Sequence, residues 1–282
     1  MLFPTSLALF LSSALVWAAP SLLVRNCGNS LTSTQLLEAE ASFASRKAAL
    51  SDAQLEAAVG PIKVFWHVIS RDTTIPGGNV PDSQIAAQIT TLNAAYKNAS
   101  LTFELAGADR TVDANWFDKA TDGTVEQTDM KTALRKGGVL DLNVYTVSFK
   151  EDPRNLLGYA TWPWDYAGNP QNDGVVIHYA SVPGGDLAPF NLGQTLTHEA
   201  GHWVGLYHTF EGGCDGEGDK VSDTPPELEP AFGCPTKLNT CTADDFDDPI
   251  HNFMDYTDDS CMFEFTTGQV ERLTAQIAAY RS

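Results

Sequence analysis

Between residues 198 and 208 the chain reads His198-Glu-Ala-Gly-His-Trp-Val-Gly-Leu-Tyr-His208 and holds three of its six histidines. Positions i and i+4 of a helix lie on one face. His198 and His202 can therefore aim ring nitrogens at a single ion. Glu199 sits beside them, placed to hold a metal-bound water without being a ligand. Gly205 lets the backbone leave the helix in a conformation that other residues resist, and the returning chain brings His208 in as a third ligand. Three protein ligands with a fourth position open are the donor set of a catalytic zinc rather than a structural one.

Two further groups of residues have chemistry to offer. Residues 215–264 carry 14 Asp and Glu against Lys220 and Lys237 alone. This run is either a solvated acidic surface or a place for calcium, which needs clustered oxygen ligands. Asp215, Asp219, Asp223 and Thr224 are the candidate calcium ligands. The cysteines number five. Cys214, Cys234, Cys241 and Cys261 fall together and allow three pairings, among which sequence alone does not choose. Cys27 stands apart, in Val24-Arg-Asn-Cys27-Gly. Its thiolate could fill the open coordination position of a zinc site. An unpaired surface cysteine or an intermolecular bridge is the alternative.

These residues need elements to hold them. Residues 1–19 read as a signal peptide, with an apolar run too short to span a membrane and small residues before the expected cut. Export suits disulfides. Residues 20–59, rich in Ala, Glu and Ser with helical character, are expected to be a propeptide, leaving 60–282 as one catalytic domain divided near residue 206. Within it, β-branched and aromatic runs predict strands at 62–69, 101–112, 140–149 and 174–179. Residues 158–163 end in proline and suit an edge strand. Helices are predicted at 81–98, 128–136, 191–206 and 267–280, the last capped by Thr267. His67, His178 and His251 read as structural histidines. Asn98-Ala-Ser100 is an acceptor sequence for glycosylation. The expected class is α/β (α+β), with a twisted, mostly parallel sheet, two long helices above the cleft, and an irregular half, stapled by disulfides, below. A net charge of −19 argues against a nucleic-acid partner. No membrane anchor is expected, and the chain is expected to be a monomer.

The histidine motif followed by Asn252-Phe-Met-Asp-Tyr256 resembles the metzincin pattern, HExxHxxGxxH and a Met-turn. With Gly212-Gly-Cys-Asp and Ser222-Asp-Thr-Pro225 between the two, the chain is similar to the pappalysin-type branch, and within it to small secreted metalloproteases of fungi and bacteria. The resemblance covers about residues 60–282 and is strongest over 192–261. It implies a metalloendopeptidase acting on protein or peptide substrates through zinc held by His198, His202 and His208, with Glu199 as general base. It further implies Met254 as an apolar base beneath the imidazoles, Tyr256 as a switchable ligand and oxyanion donor, and Cys27 as a cysteine switch. Gly158, Tyr159, Ala160 and Thr161 would form the upper rim of the cleft, where an extended substrate can pair. The family's pattern pairs Cys214 with Cys241 and Cys234 with Cys261. A catalytically inactive zinc-binding protein is the other reading, and an intact Glu199 speaks against it.

Overall fold

The computed structural model describes residues 24–282 apart from 56, 58 and 244, so the expected signal peptide at 1–19 lies outside the described residues. The helices are α1 (Ser33–Ala48), α2 (Asp52–Leu55), α3 (Asp82–Ala95), α4 (Ala114–Lys119), α5 (Val125–Leu134), α6 (Gln194–Trp203) and α7 (Thr267–Tyr280). The strands are β1 (Ile62–Ser70), β2 (Phe103–Val112), β3 (Leu142–Val147), β4 (Gly158–Ala160) and β5 (Val175–His178). They form one sheet in the order β2-β1-β3-β5-β4. β1 pairs in parallel with both β2 and β3, and β3 pairs in parallel with β5. Only β4 runs antiparallel, at the edge. This is the mixed, mostly parallel α/β architecture the sequence predicts.

Both faces of the sheet are covered, as parallel sheets require. On one face Val64, Trp66 and Val68 of β1 pack with Val144 and Ile177 against Ile85 and Leu92 of α3 and Leu196, Ala200 and Trp203 of α6. On the other, Ile69, Tyr145 and Val147 pack with Phe117 and Met130 of α4 and α5. The hydroxyl of Tyr96, at the end of α3, donates to the Thr197 carbonyl at 2.9 Å and ties α3 to α6. α6, which carries His198 and His202, thus rests on a continuous apolar core.

Below α6 the chain changes character. Among the described residues from 207 to 266, regular structure is limited to an isolated bridge between Asn252 and Glu264 and a short 3-10 turn, Asp259–Cys261. Disulfides join Cys214 to Cys241 and Cys234 to Cys261. α7 then closes the molecule against α6, with Leu273 and Ile277 in the main core.

Candidate metal centre and the segment that covers it

α6 starts at Gln194, after an N-cap, Gly193, that has no side chain to offer. It ends earlier than the predicted residue 206 because Gly205 takes φ +93°, a left-handed conformation. The chain reverses there and brings His208 back under the helix. The three imidazoles meet at Nε2: His202 Nε2 lies 3.2 Å from His198 Nε2 and 3.0 Å from His208 Nε2.

The far ring nitrogens are pinned. His198 Nδ1 donates to the Phe253 carbonyl at 2.7 Å, and His202 Nδ1 donates to the Leu206 carbonyl at 2.8 Å. A carbonyl only accepts, so Nδ1 carries the proton and Nε2 of both rings is bare. Burial lowers the pKa of all three imidazoles, that of His202 to about 4. Neutral rings with lone pairs converging at 3 Å repel one another unless a cation lies among them. The donor set and its outer hydrogen bonds fit a divalent metal.

Phe253 belongs to the turn that carries Met254. Met254 is fully buried, and its sulfur packs against α6 beside Gly201. A Cβ at Gly201 would stand 2.4 Å from that sulfur, so any larger residue would displace the Met254 side chain from the helix. One turn therefore both orients His198 and supports the helix next to His202. The Tyr256 hydroxyl lies 3.3 Å from His208 Nε2.

Residues 24–29 cover this group. Cys27 Sγ and one ring nitrogen of each of His198, His202 and His208 all lie within 4.8 Å of one another. Sγ is also 3.3 Å from Glu199 Oε2, and the Cys27 amide donates to the Tyr256 hydroxyl at 3.2 Å. Burial raises Glu199 to about 8, and burial and the Glu199 charge raise the Cys27 thiol. The segment binds as an added strand on β4. The Leu157 amide donates to Asn26 O, the Gly28 amide to Gly158 O, and the Asn29 side chain bonds both the N–H and the carbonyl of Ala160. Regular pairing stops at Ala160. Thr161 turns inward, its hydroxyl donating to Asp173 at 3.0 Å.

Sequence reading missed a buried ion pair beside the cluster. Arg25 Nη2 lies 2.6 Å from Asp259 Oδ1, with both side chains almost wholly excluded from solvent. Arg25 Nε donates to the Thr257 carbonyl, and the guanidinium lies over the Phe190 ring at 5.1 Å. Asp259 Oδ2 accepts the amides of Leu192 and Gln194, at the entrance to α6. The 234-residue separation of the pair leaves no local signal.

The acidic run divides. Asp215 is exposed. Asp223 spends both oxygens on the start of α7, accepting from the Thr266 hydroxyl and the Gly268 amide. Asp219 is buried, with Oδ1 taking the Val221 amide and Oδ2 lacking a partner. Thr224 Oγ1, Glu227 Oε2, Asn239 Oδ1 and Asp255 Oδ2 are likewise buried without hydrogen-bond partners. Burial raises Asp219 to about 7, and burial with the Asp255 charge pushes Glu227 well above the carboxylate range. Glu227, Asn239 and Asp255 were not singled out by the sequence, since they come from separate turns.

The remaining predicted residues stand elsewhere. Buried His67 lies between Asp109 and Asn143, His178 Nδ1 accepts the Ala180 amide, and His251 donates to the Cys261 carbonyl. None of the three joins the histidine cluster. Asn98 is exposed in a 3-10 turn, Lys97–Ala99.

Comparison with known proteins bears on what this centre is. The family model of the M43 peptidases, described as pregnancy-associated plasma protein-A, matches residues 141–278. An extracellular metalloprotease of Sordaria macrospora is 42% identical over 91% of this chain and 89% of its own. One of Colletotrichum graminicola is 42% identical over 96% of this chain and 97% of its own. Among solved structures, a mutant of Tannerella forsythia promirolysin aligns with a TM-score of 0.72 and 29% identity, covering 91% of this chain and 95% of that one. Mature mirolysin in complex with a cleaved peptide aligns over 79% of this chain and 96% of that one, with a TM-score of 0.63 and 28% identity. Alignment over nearly the full length, on a chain that gathers three imidazoles on one helix and its return, places this protein in the M43 peptidase family as a metalloendopeptidase.

Proposed function

We propose that the protein is a secreted, zinc-dependent metalloendopeptidase made as a latent proform. The observation that carries this is the convergence of three neutral imidazole Nε2 atoms, two of them fixed at Nδ1 by backbone carbonyls. Imidazole nitrogens with a thiolate in reach favour zinc over calcium or magnesium. His198, His202 and His208 would hold it. When bound, zinc supplies the Lewis acidity that polarises the scissile carbonyl and eases deprotonation of water.

The chain's own residues do the rest. Glu199 takes a proton from the attacking water and delivers it to the leaving amine nitrogen. Tyr256 donates a hydrogen bond from its hydroxyl to the oxygen that gains negative charge. The edge of β4, Gly158–Ala160, pairs with an extended substrate by β-augmentation. Residues 26–29 use that edge in the proform, which supports this role. Asp259 then prefers a basic substrate side chain beside the scissile bond, since Arg25 already fills that place with a buried ion pair.

Latency follows from Cys27, whose thiolate would complete the metal's ligands and shut out water. Residues 1–19 direct export, residues 20–59 are the propeptide, and 60–282 form the catalytic domain, upper to 206 and lower from 207. No described helix is long and apolar enough to cross a membrane, and the fungal relatives are named extracellular. The enzyme acts as a monomer, without nucleic acid. For calcium the lower half offers the buried, unpartnered oxygens of Asp219, Thr224, Glu227 and Asp255, whereas Asp215 is exposed and Asp223 is spent on the start of α7.

Casein digestion before and after removal of metal tests the reading. Activity should vanish with a chelator and return with stoichiometric zinc. The intact Cys27→Ser chain should digest casein without propeptide cleavage. Full activity of the metal-free protein would overturn the metal assignment, and full activity of the intact wild-type chain would overturn latency.

A further inference from the structure

α1 lies against α7 and buries Ala39 and Phe43 there. Between them sits Glu40. Its Oε1 lies 2.6 Å from Arg272 Nη2 and accepts the Tyr207 hydroxyl at 2.8 Å, and its Oε2 accepts from Arg272 Nη1 at 3.3 Å. The Arg272 guanidinium stacks over the Tyr207 ring at 4.6 Å. Phe43 meets Tyr280 with ring centroids 6.4 Å apart.

The aromatic surface under α1 continues to the metal centre. Trp164 contacts both Tyr280, at 6.3 Å, and Tyr207, at 6.2 Å. Trp164 stacks on Trp162 at 5.0 Å, and Trp162 stands edge-on to His202 at 5.1 Å. Trp162 lies just past the end of β4. A row of rings therefore leads from the cleft to a guanidinium. Arg272 belongs to α7 and is fixed independently of α1, because its Nε donates to the Gly205 carbonyl at 3.1 Å. Removal of α1 leaves its Nη1 and Nη2 without Glu40.

We propose that in the processed enzyme this surface is an exosite for protein substrates, taking a segment with a carboxylate beside an aromatic or apolar side chain. Glu40 and Phe43 display that chemistry in the proform. Charge complementarity sets the carboxylate, and the ring faces set its neighbour. The row starts at the cleft, so one substrate chain can occupy both places. The inference rests on the reading of residues 20–59 as a removable propeptide.

The test compares processed enzyme on casein and on a short peptide that fills only the cleft. Trp164→Ala and Tyr280→Ala should each lower kcat/KM for casein by about tenfold, as loss of one binding hot spot does. The short peptide should be cleaved as by wild type. A synthetic peptide of residues 33–48, which lacks Arg25 and Cys27, should inhibit casein digestion and spare the short peptide. Its Glu40→Gln form should inhibit far less. Equal losses on both substrates, no loss on casein, or equal inhibition by the two peptides would each overturn the exosite. A wild-type processed enzyme that fails on the short peptide would instead strike the parent reading.

Discussion

The imidazoles of His198 and His202 are each tied at Nδ1 to a backbone carbonyl, on a helix bedded in the main core. In the lower half, Asp219, Glu227 and Asp255 each leave one buried carboxylate oxygen without a partner, on turns linked by two disulfides. Both regions bury groups that would rather be solvated or charged. The upper one is organised by neutral hydrogen bonds and packing, so it keeps its geometry whether or not Glu199 is present. The lower one stores like charge, which must be protonated or neutralised by a cation. Chemistry is thus confined to the region whose side chains are aimed by backbone carbonyls and core packing.

The sharpest way to break this contrast is to remove Glu199. Glu199→Ala in the processed enzyme should lower kcat by about 10²–10⁴-fold, the usual contribution of a general base. Metal content and melting temperature should stay near wild type, because no imidazole depends on Glu199 for its orientation. Metal analysis of the inactive variant checks the second half. Loss of metal would mean that the imidazoles depend on Glu199 after all.

Arg25 probes where the covering segment meets the catalytic body. Arg25→Met leaves Asp259 buried and unpaired, at a cost of about 3–5 kcal/mol. The intact chain is expected to escape that cost by releasing residues 24–29 from β4. Limited proteolysis should then cut the segment faster, and the unprocessed chain should gain activity. The same substitution cannot affect processed enzyme, which makes proform and processed form a controlled pair. Unchanged proteolysis would show that the strand pairing on β4 holds the segment without the ion pair.

Tyr256 stands at the boundary between the two regions. Tyr256→Phe removes only the hydroxyl, 3.3 Å from His208 Nε2. Loss of one oxyanion donor costs about 10²–10³ in turnover. KM and metal content should be unaffected. A wild-type kcat would reduce Tyr256 to a packing residue against Phe210.

How much of this was legible follows the same division. The histidine motif was readable because its three imidazoles sit within one helix and one glycine-made turn. The strands at β1, β3 and β5 were readable because burial on both faces demands β-branched and aromatic runs. Capping decided the errors at helix ends. α5 begins at Val125 rather than residue 128 because the Thr124 hydroxyl takes the Gln127 amide. α7 is capped by Thr266, which forms a reciprocal pair with Gln269, rather than by Thr267. α4 went unread although Asp113 caps it, since six residues show no period. In the lower half acid density pointed to the stretch that holds Asp219, Glu227 and Asp255 but not to which carboxylates would lie buried without partners. Asp223 serves as part of the α7 cap, and the oxygens left over come from turns that only the folded chain brings inward.

Calcium and pH provide the mildest test: calcium acts on the lower half, while pH also titrates the buried imidazoles, whose lowered pKa works in the opposite direction. Burial raises Asp219 from the ordinary carboxylate range to about 7. The folded state without calcium therefore holds a proton that the unfolded chain gives up near pH 4. The Asp219 contribution to stability should then fall as pH rises between about 4 and 7 and stay low above that window. Glu227 and Asp255 are raised too and act in the same direction. Calcium binds the ionised oxygens, so it should restore stability where they are ionised and do little at pH 5. At a calcium concentration 100 times its Kd the gain is about 2.7 kcal/mol. Melting temperatures measured at pH 5 and pH 8, each with calcium or a calcium-selective chelator, give the four values required. The carboxylates should favour the chelated protein at pH 5 against the opposite pull of the buried imidazoles, and calcium should raise the pH 8 value most. Asp219→Asn should shrink both effects, since it removes one of the charges that calcium neutralises. A calcium response equal at the two pH values, or absent at pH 8, would leave the unpartnered oxygens to water and refute the cation site. The histidine cluster would stand unaffected by either result.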